Sequence, residues 1–239
     1  MIVPAIILSV IFVSLGFIVT KNNTKYLLSG YNTMSESQRG KMDLDGYLHF
    51  FKRFHIVLGV SLLIGTLILS SFNNNWASGF MIMFPLISYL YLIIKGNSFY
   101  KEANAQRLAN IVGSGILIVV IGIVGTLQFS GTSNINLKLK QDEIEVDGMY
   151  GFKIKKQNIT KVSLVNELPL ISYKSNGFAA GNYAKGSFKT KNGQTVKLFV
   201  DKEAKPILMF ETTEGDIFYN LGDEEINKLY KKIMHWRGL

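Results

Sequence analysis

The sequence has 239 residues, of which 48% are hydrophobic, and this apolar content favours a membrane protein over a water-soluble globular domain. The chain contains no cysteine, which excludes disulfides, thiolate metal sites and thiol catalysis. The formal net charge is +9, but no recognised nucleic-acid-binding motif accompanies it, so we expect no nucleic-acid partner.

Four segments in the first half are long and apolar enough to be predicted as membrane-spanning helices. They are Ile2 to Val19, Phe54 to Phe72, Trp76 to Ile94 and Leu108 to Phe129, and none contains Lys, Arg, Asp or Glu. The first lacks the basic start and the cleavage site of a signal peptide, so we interpret it as a span. Residues 1–130 are therefore predicted to form a four-helix transmembrane domain.

Basic residues in the loops predict the orientation of these spans. The loops 20–53 and 95–107 hold nine Lys and Arg residues, whereas the N-terminal tail and the connection 71–79 hold none. Because basic loops stay in the cytoplasm, both loops are predicted to be cytoplasmic. The N-terminus and the C-terminal domain are then extracytoplasmic, in a multi-pass protein of the cell membrane.

Residues inside and beside the spans limit the possible functions. The absence of charged residues from the spans argues against a pump or a coupled transporter. His55 lies at the edge of the second span and is expected to face the lipid headgroups. Small residues four positions apart, Ser61 with Gly65 and Ala109 with Gly113, are expected to let helices approach closely.

The loop between the first two spans contains the motif GYNTMS at residues 30–35. Its candidate binding residues are Tyr31, Asn32, Thr33 and Met34. The favoured alternative is a structural turn that docks on the cytoplasmic ends of the spans. Ser35 is predicted to cap a short helix that starts near Glu36, with Gln38 at the capping-box position.

From Ile135 onward the apolar period changes to two, which predicts β-strands. Asn192-Gly193 and Glu214-Gly215 are typical hairpin turns. The last segment is predicted to be an amphipathic helix with Asp223 as its N-cap and Ile226, Leu229, Ile233 and Trp236 on its apolar face. Residues 131–239 are thus predicted to form a small all-β barrel plugged by a C-terminal helix.

A glycine-rich stretch at residues 177–188 superficially resembles a phosphate-binding loop, but no Lys-Ser/Thr pair and no helix follow it. A connection with tight turns is the favoured interpretation. Tyr183 and Lys185 are expected to be exposed there and are candidate binding residues.

Catalytic and metal-binding patterns are absent from the sequence. The three histidines are too far apart to suggest a metal cluster. The acidic residues at 142, 143, 145 and 147 lack the spacing of a calcium loop, and a solvated strand face is the favoured interpretation over a cation site. We expect no metal, no cofactor and no enzymatic activity.

Residues 135–235 resemble the bacterial pleckstrin-homology domains. The resemblance lies in the spacing of Gly177, Gly181, Gly186 and Phe188 and in the following strand Lys197-Leu198-Phe199-Val200. It implies a pleckstrin-homology-like barrel, a fold that serves many binding roles.

The motif at residues 30–35, followed by Lys41-Met42-Asp43, resembles an uncharacterised family of bacterial multi-pass membrane proteins. More distantly, the segment is similar to bacteriocin-immunity proteins of the sporulation-delaying-protein immunity type. The resemblance implies an immunity or envelope-defence protein whose β domain binds a peptide or toxin. An adaptor or sensor that binds a membrane protein is the alternative, with a small transporter less favoured. The lipid bilayer is an expected partner, and the oligomeric state stays open.

Overall fold

The structure is a computed structural model that describes residues 2–28, 31–32, 34–100 and 104–238, with residues 104–107 described by their backbone alone. The chain divides into two compact units, Met1–Thr126 and Leu127–Leu239. The helices of the described residues are α1 (Ile2–Ile18), α2 (Thr24–Leu27), α3 (Glu36–Arg39), α4 (Leu44–Phe72), α5 (Asn74–Gly96), α6 (Asn104–Thr132) and α7 (Ile226–Arg237). Helix α6 runs from the first unit into the second.

Three helical segments are long and apolar enough to cross a membrane: Leu44–Phe72, Asn74–Phe99 and Leu108–Thr132. The expected first span is shorter, because α1 has 17 residues and a length of about 26 Å at about 1.5 Å per residue. The hydrocarbon core of a bilayer is about 30 Å thick. Length and composition therefore support three of the four expected spans.

Helix α4 begins ten residues before the predicted span because Asp43 caps it. The Asp43 carboxylate accepts a hydrogen bond from the Gly46 N–H at 3.0 Å. Asp45 lies in the first turn, where the positive end of the helix dipole favours a carboxylate. Residues 44–53 therefore form the N-terminal part of the same helix, before the apolar part that begins at Phe54.

Helix α1 packs antiparallel against α4 at two glycines. The Ser9 hydroxyl donates a hydrogen bond to the Gly59 carbonyl oxygen at 2.8 Å. Gly16 lies beside the backbone of Lys52, so close that a Cβ atom there would be 2.9 Å from the Lys52 carbonyl oxygen. Glycine lets the two backbones approach because it has no side chain to displace.

The strands of the second unit form two sheets. The strands are β1 (Leu137–Leu139), β2 (Glu143–Val146), β3 (Phe152–Lys155), β4 (Ile159–Val165), β5 (Ile171–Ala180), β6 (Tyr183–Thr190), β7 (Thr195–Asp201), β8 (Ile207–Thr212) and β9 (Ile217–Tyr219). One sheet has the order β1-β2-β3 and the other β4-β8-β9-β7-β6-β5, with β7 and β9 parallel. The expected closed barrel is not confirmed, because the described strands form two separate sheets.

Both faces of the six-stranded sheet are apolar. One face forms a core with the three-stranded sheet and α7, which includes Ile144, Phe210 and Ile233. The other face carries a second cluster that includes Phe188 and Leu198. Two buried faces require apolar residues at successive positions of the central strands, as the run from Leu198 to Val200 shows.

The predicted C-terminal helix is confirmed as α7, but its start differs from the expectation. The helix begins at Ile226 after Glu225, and no side chain caps it. Asp223 instead accepts hydrogen bonds from the side-chain amides of Asn134 at 2.8 Å and Asn136 at 3.0 Å. The Asp223 carboxylate therefore binds these two amides and does not cap α7 as predicted.

The glycine contact between α1 and α4 can be tested by substitution. A Cβ atom at position 59 would lie 2.7 Å from the Ser9 carbonyl oxygen, so Gly59→Val forces α1 to move. We expect this change to cost about 1–3 kcal/mol and to lower the thermal unfolding midpoint of the full chain in detergent. Gly113→Val is the matched control, because no described atom lies within 4 Å of a Cβ there. Equal losses in both variants would contradict the packing described here.

Candidate functional site

The turn at residues 31–34 is held by an arginine. The Arg39 Nε donates a hydrogen bond to the Tyr31 carbonyl oxygen at 3.2 Å, and its Nη2 donates to the Asn32 carbonyl oxygen at 3.1 Å. The guanidinium also lies 5.2 Å from the centre of the Tyr31 ring. Met34 is only 7% exposed, whereas Asn32 is exposed. Thr33, the fourth candidate residue of this loop, lies outside the described residues, as does Gly30.

The rest of this loop packs against helix ends of the same unit. The predicted capping box is confirmed: the Gln38 N–H donates to Ser35 Oγ at 3.3 Å, and the Ser35 N–H donates to Gln38 Oε1 at 2.9 Å. Beyond α3, the Asp43 N–H donates to the Phe99 carbonyl oxygen at 2.8 Å. Leu28, Met34 and Met42 are buried. These contacts fix the loop against the helix ends of the first unit.

His55 does not face the headgroups, so that expectation is wrong. Its side chain is 1% exposed. Nδ1 lies 2.8 Å from the Phe51 carbonyl oxygen, and Nε2 lies 3.1 Å from the Tyr89 hydroxyl on α5. A carbonyl oxygen only accepts, so Nδ1 carries a proton, and in the neutral imidazole Nε2 then accepts from the Tyr89 hydroxyl. The sequence feature that could have predicted this pair is one polar side chain in each of two neighbouring spans, His55 and Tyr89.

Lys185 is not an exposed binding residue, because it is 1% exposed. It lies on β6, and its ammonium donates hydrogen bonds to the carbonyl oxygens of Ser130 at 3.1 Å and of Ser133. Its Nζ is also 5.9 Å from the centre of the half-buried Tyr183 ring. The last carbonyls of a helix lack partners within the helix, so Lys185 closes the C-terminal end of α6. Burial lowers the pKa of Lys185 to about 8.

The glycine-rich stretch forms a β-hairpin of β5 and β6 where a loop was expected. Gly177 and Gly186 are directly paired across the hairpin. Gly186 has a φ of +111°, and a Cβ at either position would collide with the opposite backbone. Glycine is needed at this pair because only glycine permits both the positive φ and the close approach.

Strand β5 is the element of this hairpin that sequence reasoning missed. It is an edge strand, and among the described strands it pairs with β6 alone. Residues 172–176 are all exposed, so both faces of this part of the strand are solvent-accessible. Tyr173 is 58% exposed and the preceding Leu170 is 69% exposed. A strand without a buried face shows no apolar alternation, which is why the pattern did not predict it.

The edge of β5 is irregular as well as open. The register shifts between Ile171 and Tyr173 and again between Lys174 and Asn176. Natural edge strands use such bulges and lysines to prevent indiscriminate pairing. The hairpin of residues 171–190 contains three lysines and no acidic residue. Lys174 is the lysine that lies on β5 itself, so this edge strand combines a positive charge with two register shifts.

The acidic residues of β2 and its flanks do not form a cation site. Glu145 lies 2.6 Å from Lys140 and 2.9 Å from Lys153, which lowers its pKa to about 2 through hydrogen bonds with both amines. Asp147 pairs with Lys138. Within the described part of the chain, no group of three or more His, Asp or Glu residues is placed to hold a metal ion.

Comparison with known proteins gives one match. The family model of a domain of unknown function (DUF3784) matches residues 6–100, which include the apolar helices α4 and α5, most of α1 and the loop with the GYNTMS motif. The β domain lies outside the residues that this family model matches. No curated protein and no solved structure matches the chain.

The burial of Lys185 predicts a pH dependence of stability. Because its pKa is about 8 in the folded protein and 10.5 as its ordinary value, the unfolded chain binds more protons between these pH values. Stability from this group therefore rises as the pH increases through that range. We expect the thermal unfolding midpoint of the wild type, relative to Lys185→Met, to rise from about pH 8 to about pH 10.5. Lys231→Met removes an exposed lysine of α7 but keeps Lys185, so its curve should run parallel to that of the wild type; parallel curves for all three proteins would contradict the assignment.

Proposed function

We propose that this chain is a non-enzymatic, multi-pass membrane protein whose β domain binds an extended polypeptide along the free edge of β5. The observation that carries the proposal is an edge strand with five consecutive exposed residues and a partner on one side only. Every second residue of such a strand turns its N–H and C=O away from the neighbouring strand. An incoming segment would hydrogen-bond to these groups as an added strand.

The side chains around β5 suggest the chemistry of the partner. Tyr173 and Leu170 offer apolar contact area, and Lys174 offers a positive charge. A segment that combines apolar residues with Asp or Glu would match both. The two bulges limit which register can pair, so that a second copy of β5 is a poor partner.

A peptide toxin is our preferred partner, which makes the protein an immunity or envelope-defence protein. The similarity of the GYNTMS segment to bacteriocin-immunity proteins supports this choice. The similarity of residues 135–235 to bacterial pleckstrin-homology domains supports binding over catalysis, and a pleckstrin-homology-like organisation of the β domain is part of the proposal.

A sensor or adaptor for an envelope protein is the second candidate function. It is favoured by the contact between Lys185 of β6 and the C-terminal carbonyls of α6. The strand next to the proposed binding edge thereby holds the end of a membrane helix. Binding at β5 would then affect the neighbouring strand β6, whose Lys185 contacts the end of α6.

We further propose that α1 is a fourth span and that the β domain lies outside the cell. The placement of the β domain does not depend on α1. The loops 20–53 and 95–107 flank α4 and α5 on one side, and they hold all nine basic residues of residues 1–129. If these loops are cytoplasmic, α6 must end outside.

The orientation is testable because the chain has no native cysteine. Asn192→Cys places one thiol in the exposed turn between β6 and β7, and Ser37→Cys places one in α3. We expect a membrane-impermeant maleimide to label Cys at 192 in intact cells and Cys at 37 only after permeabilisation. The reverse pattern would overturn the proposed topology.

The binding edge is testable by survival. Cells that express the protein should survive one member of a panel of membrane-active peptides at a clearly higher dose than deletion cells do. The double variant Tyr173→Ser/Lys174→Glu should lose this protection at normal expression. Lys231→Glu, an equal charge reversal at an exposed position of α7, should keep the protection.

The outcomes separate the site from the function. Protection by the double variant equal to wild type would exclude β5 as the binding edge. A panel in which no peptide distinguishes expressing from deletion cells would exclude the immunity function. The sensor would then be tested by disulfide trapping between Tyr173→Cys and a cysteine in a co-purified membrane protein.

A further inference from the structure

A cavity of about 510 Å³ lies between α4 and α5 in the first unit. Four aromatic rings line it, those of Phe50, Phe54, Phe84 and Tyr91, and Arg53 and Ser88 add polar atoms. Aliphatic side chains complete the wall. This volume is within the usual range of ligand pockets, about 300–1,000 Å³.

The cavity is a groove that follows the helix axes. Its lining residues on α4 span positions 50 to 58 and those on α5 span positions 84 to 91, each along one face. At about 1.5 Å per residue, these stripes are about 10–12 Å long. The rings stiffen the wall, since Phe54 stacks on Tyr91 at 6.4 Å and Phe50 stacks on Phe99 at 5.4 Å.

The depth of the groove places its mouth at the headgroups. Nineteen residues separate Arg53 from Phe72, the end of α4. This distance is about 29 Å along a helix, close to the thickness of the hydrocarbon core, about 30 Å. With Phe72 at the opposite boundary of the hydrocarbon core, Arg53 lies where the phosphates begin and Phe84 lies in the acyl-chain region.

Arg53 has no anionic partner within the protein as far as the structure describes it. The two described carboxylates that precede Arg53 most closely in the chain have other partners: Asp45 lies 2.8 Å from Lys21, and Asp43 caps α4. A guanidinium at this depth with an apolar groove beside it fits a phosphate with a hydrocarbon tail, because arginine binds phosphate oxygens in a bidentate manner.

We infer that the groove binds one molecule of an anionic phospholipid, with an acyl chain between the aromatic rings and the phosphate against the Arg53 guanidinium. The surrounding end is basic, with six Lys and Arg in residues 20–53 against three Asp and Glu. A net negative headgroup is therefore preferred over a zwitterionic one. This site is independent of the β5 edge, so that either proposal can fail alone.

Native mass spectrometry of the full chain in detergent tests the site. With phosphatidylglycerol added, we expect one retained lipid per protein, and clearly less retention of phosphatidylcholine. Arg53→Gln should reduce phosphatidylglycerol retention by about tenfold, the scale of one lost charge-assisted contact at a membrane surface. Arg53→Lys should keep part of it. Lys95→Gln is the matched control, because it removes a charge at the same end but outside the groove.

A second variant separates the groove from the charge. Ser88→Leu fills the cavity without altering charge, and we expect it to lose the bound lipid while its thermal unfolding midpoint stays at the wild-type value. Glycerol phosphate, which has the phosphate without acyl chains, should not bind.

Several results would overturn the inference. These are equal retention of both lipids, equal losses in Arg53→Gln and Lys95→Gln, or full retention in Ser88→Leu. A protein that becomes monomeric only in Ser88→Leu would show that a second copy occupies the groove.

Discussion

Every backbone N–H and C=O in this protein must be paired wherever water is excluded, and this constraint organises both units. In the first unit the long helices pair their own backbone groups, the only open-chain solution inside a bilayer. Their ends need outside partners. Asp43 supplies an acceptor at the start of α4, and Ser35 with Gln38 closes the start of α3. At the end of α6 the donor is Lys185, which comes from β6.

The same constraint explains why β5 is the proposed binding edge. The central strands of the six-stranded sheet are paired on both sides, whereas the described edge strands β4 and β5 are each paired on one. Of these two edges, β5 has five consecutive exposed residues, so a polypeptide can reach its unpaired backbone groups. Arg53 is the electrostatic counterpart of this open edge. It is a cation with no carboxylate partner among the described residues, where Asp45 pairs with Lys21 and Asp43 caps α4, and the proposed lipid phosphate would supply the anion.

The sequence predicted features that depend on local pattern. Hydropathy located the apolar parts of α4, α5 and α6, and the spacing from Ser35 to Gln38 predicted a capping box that the structure confirms. The apolar stripe of the last segment likewise predicted α7. Each of these depends on residues within a few turns of one another, which is the range that a pattern covers.

Features that depend on distant parts of the chain were missed. Lys185 was expected to be exposed because the carbonyls of Ser130 and Ser133, more than fifty positions away, are invisible to local pattern. His55 was placed at the headgroups because it lies at the edge of the predicted span. Its partner Tyr89 is on another helix, so local pattern did not show their contact. Strand β5 escaped prediction because an exposed edge needs no apolar alternation. The closed barrel is not confirmed, because strand periodicity does not determine which strands pair.

The position of Lys185 links the proposed binding edge to the membrane helix through two short steps. Lys185 pairs with Phe178 in the ladder between β5 and β6, and its ammonium holds the last carbonyls of α6. A polypeptide added to β5 lengthens the sheet and restricts the motion of this ladder. A ligand shifts a conformational equilibrium only through a difference in its affinity for the two states. If the added strand binds more tightly while Lys185 holds the end of α6, loss of that contact weakens binding at β5 by the same factor.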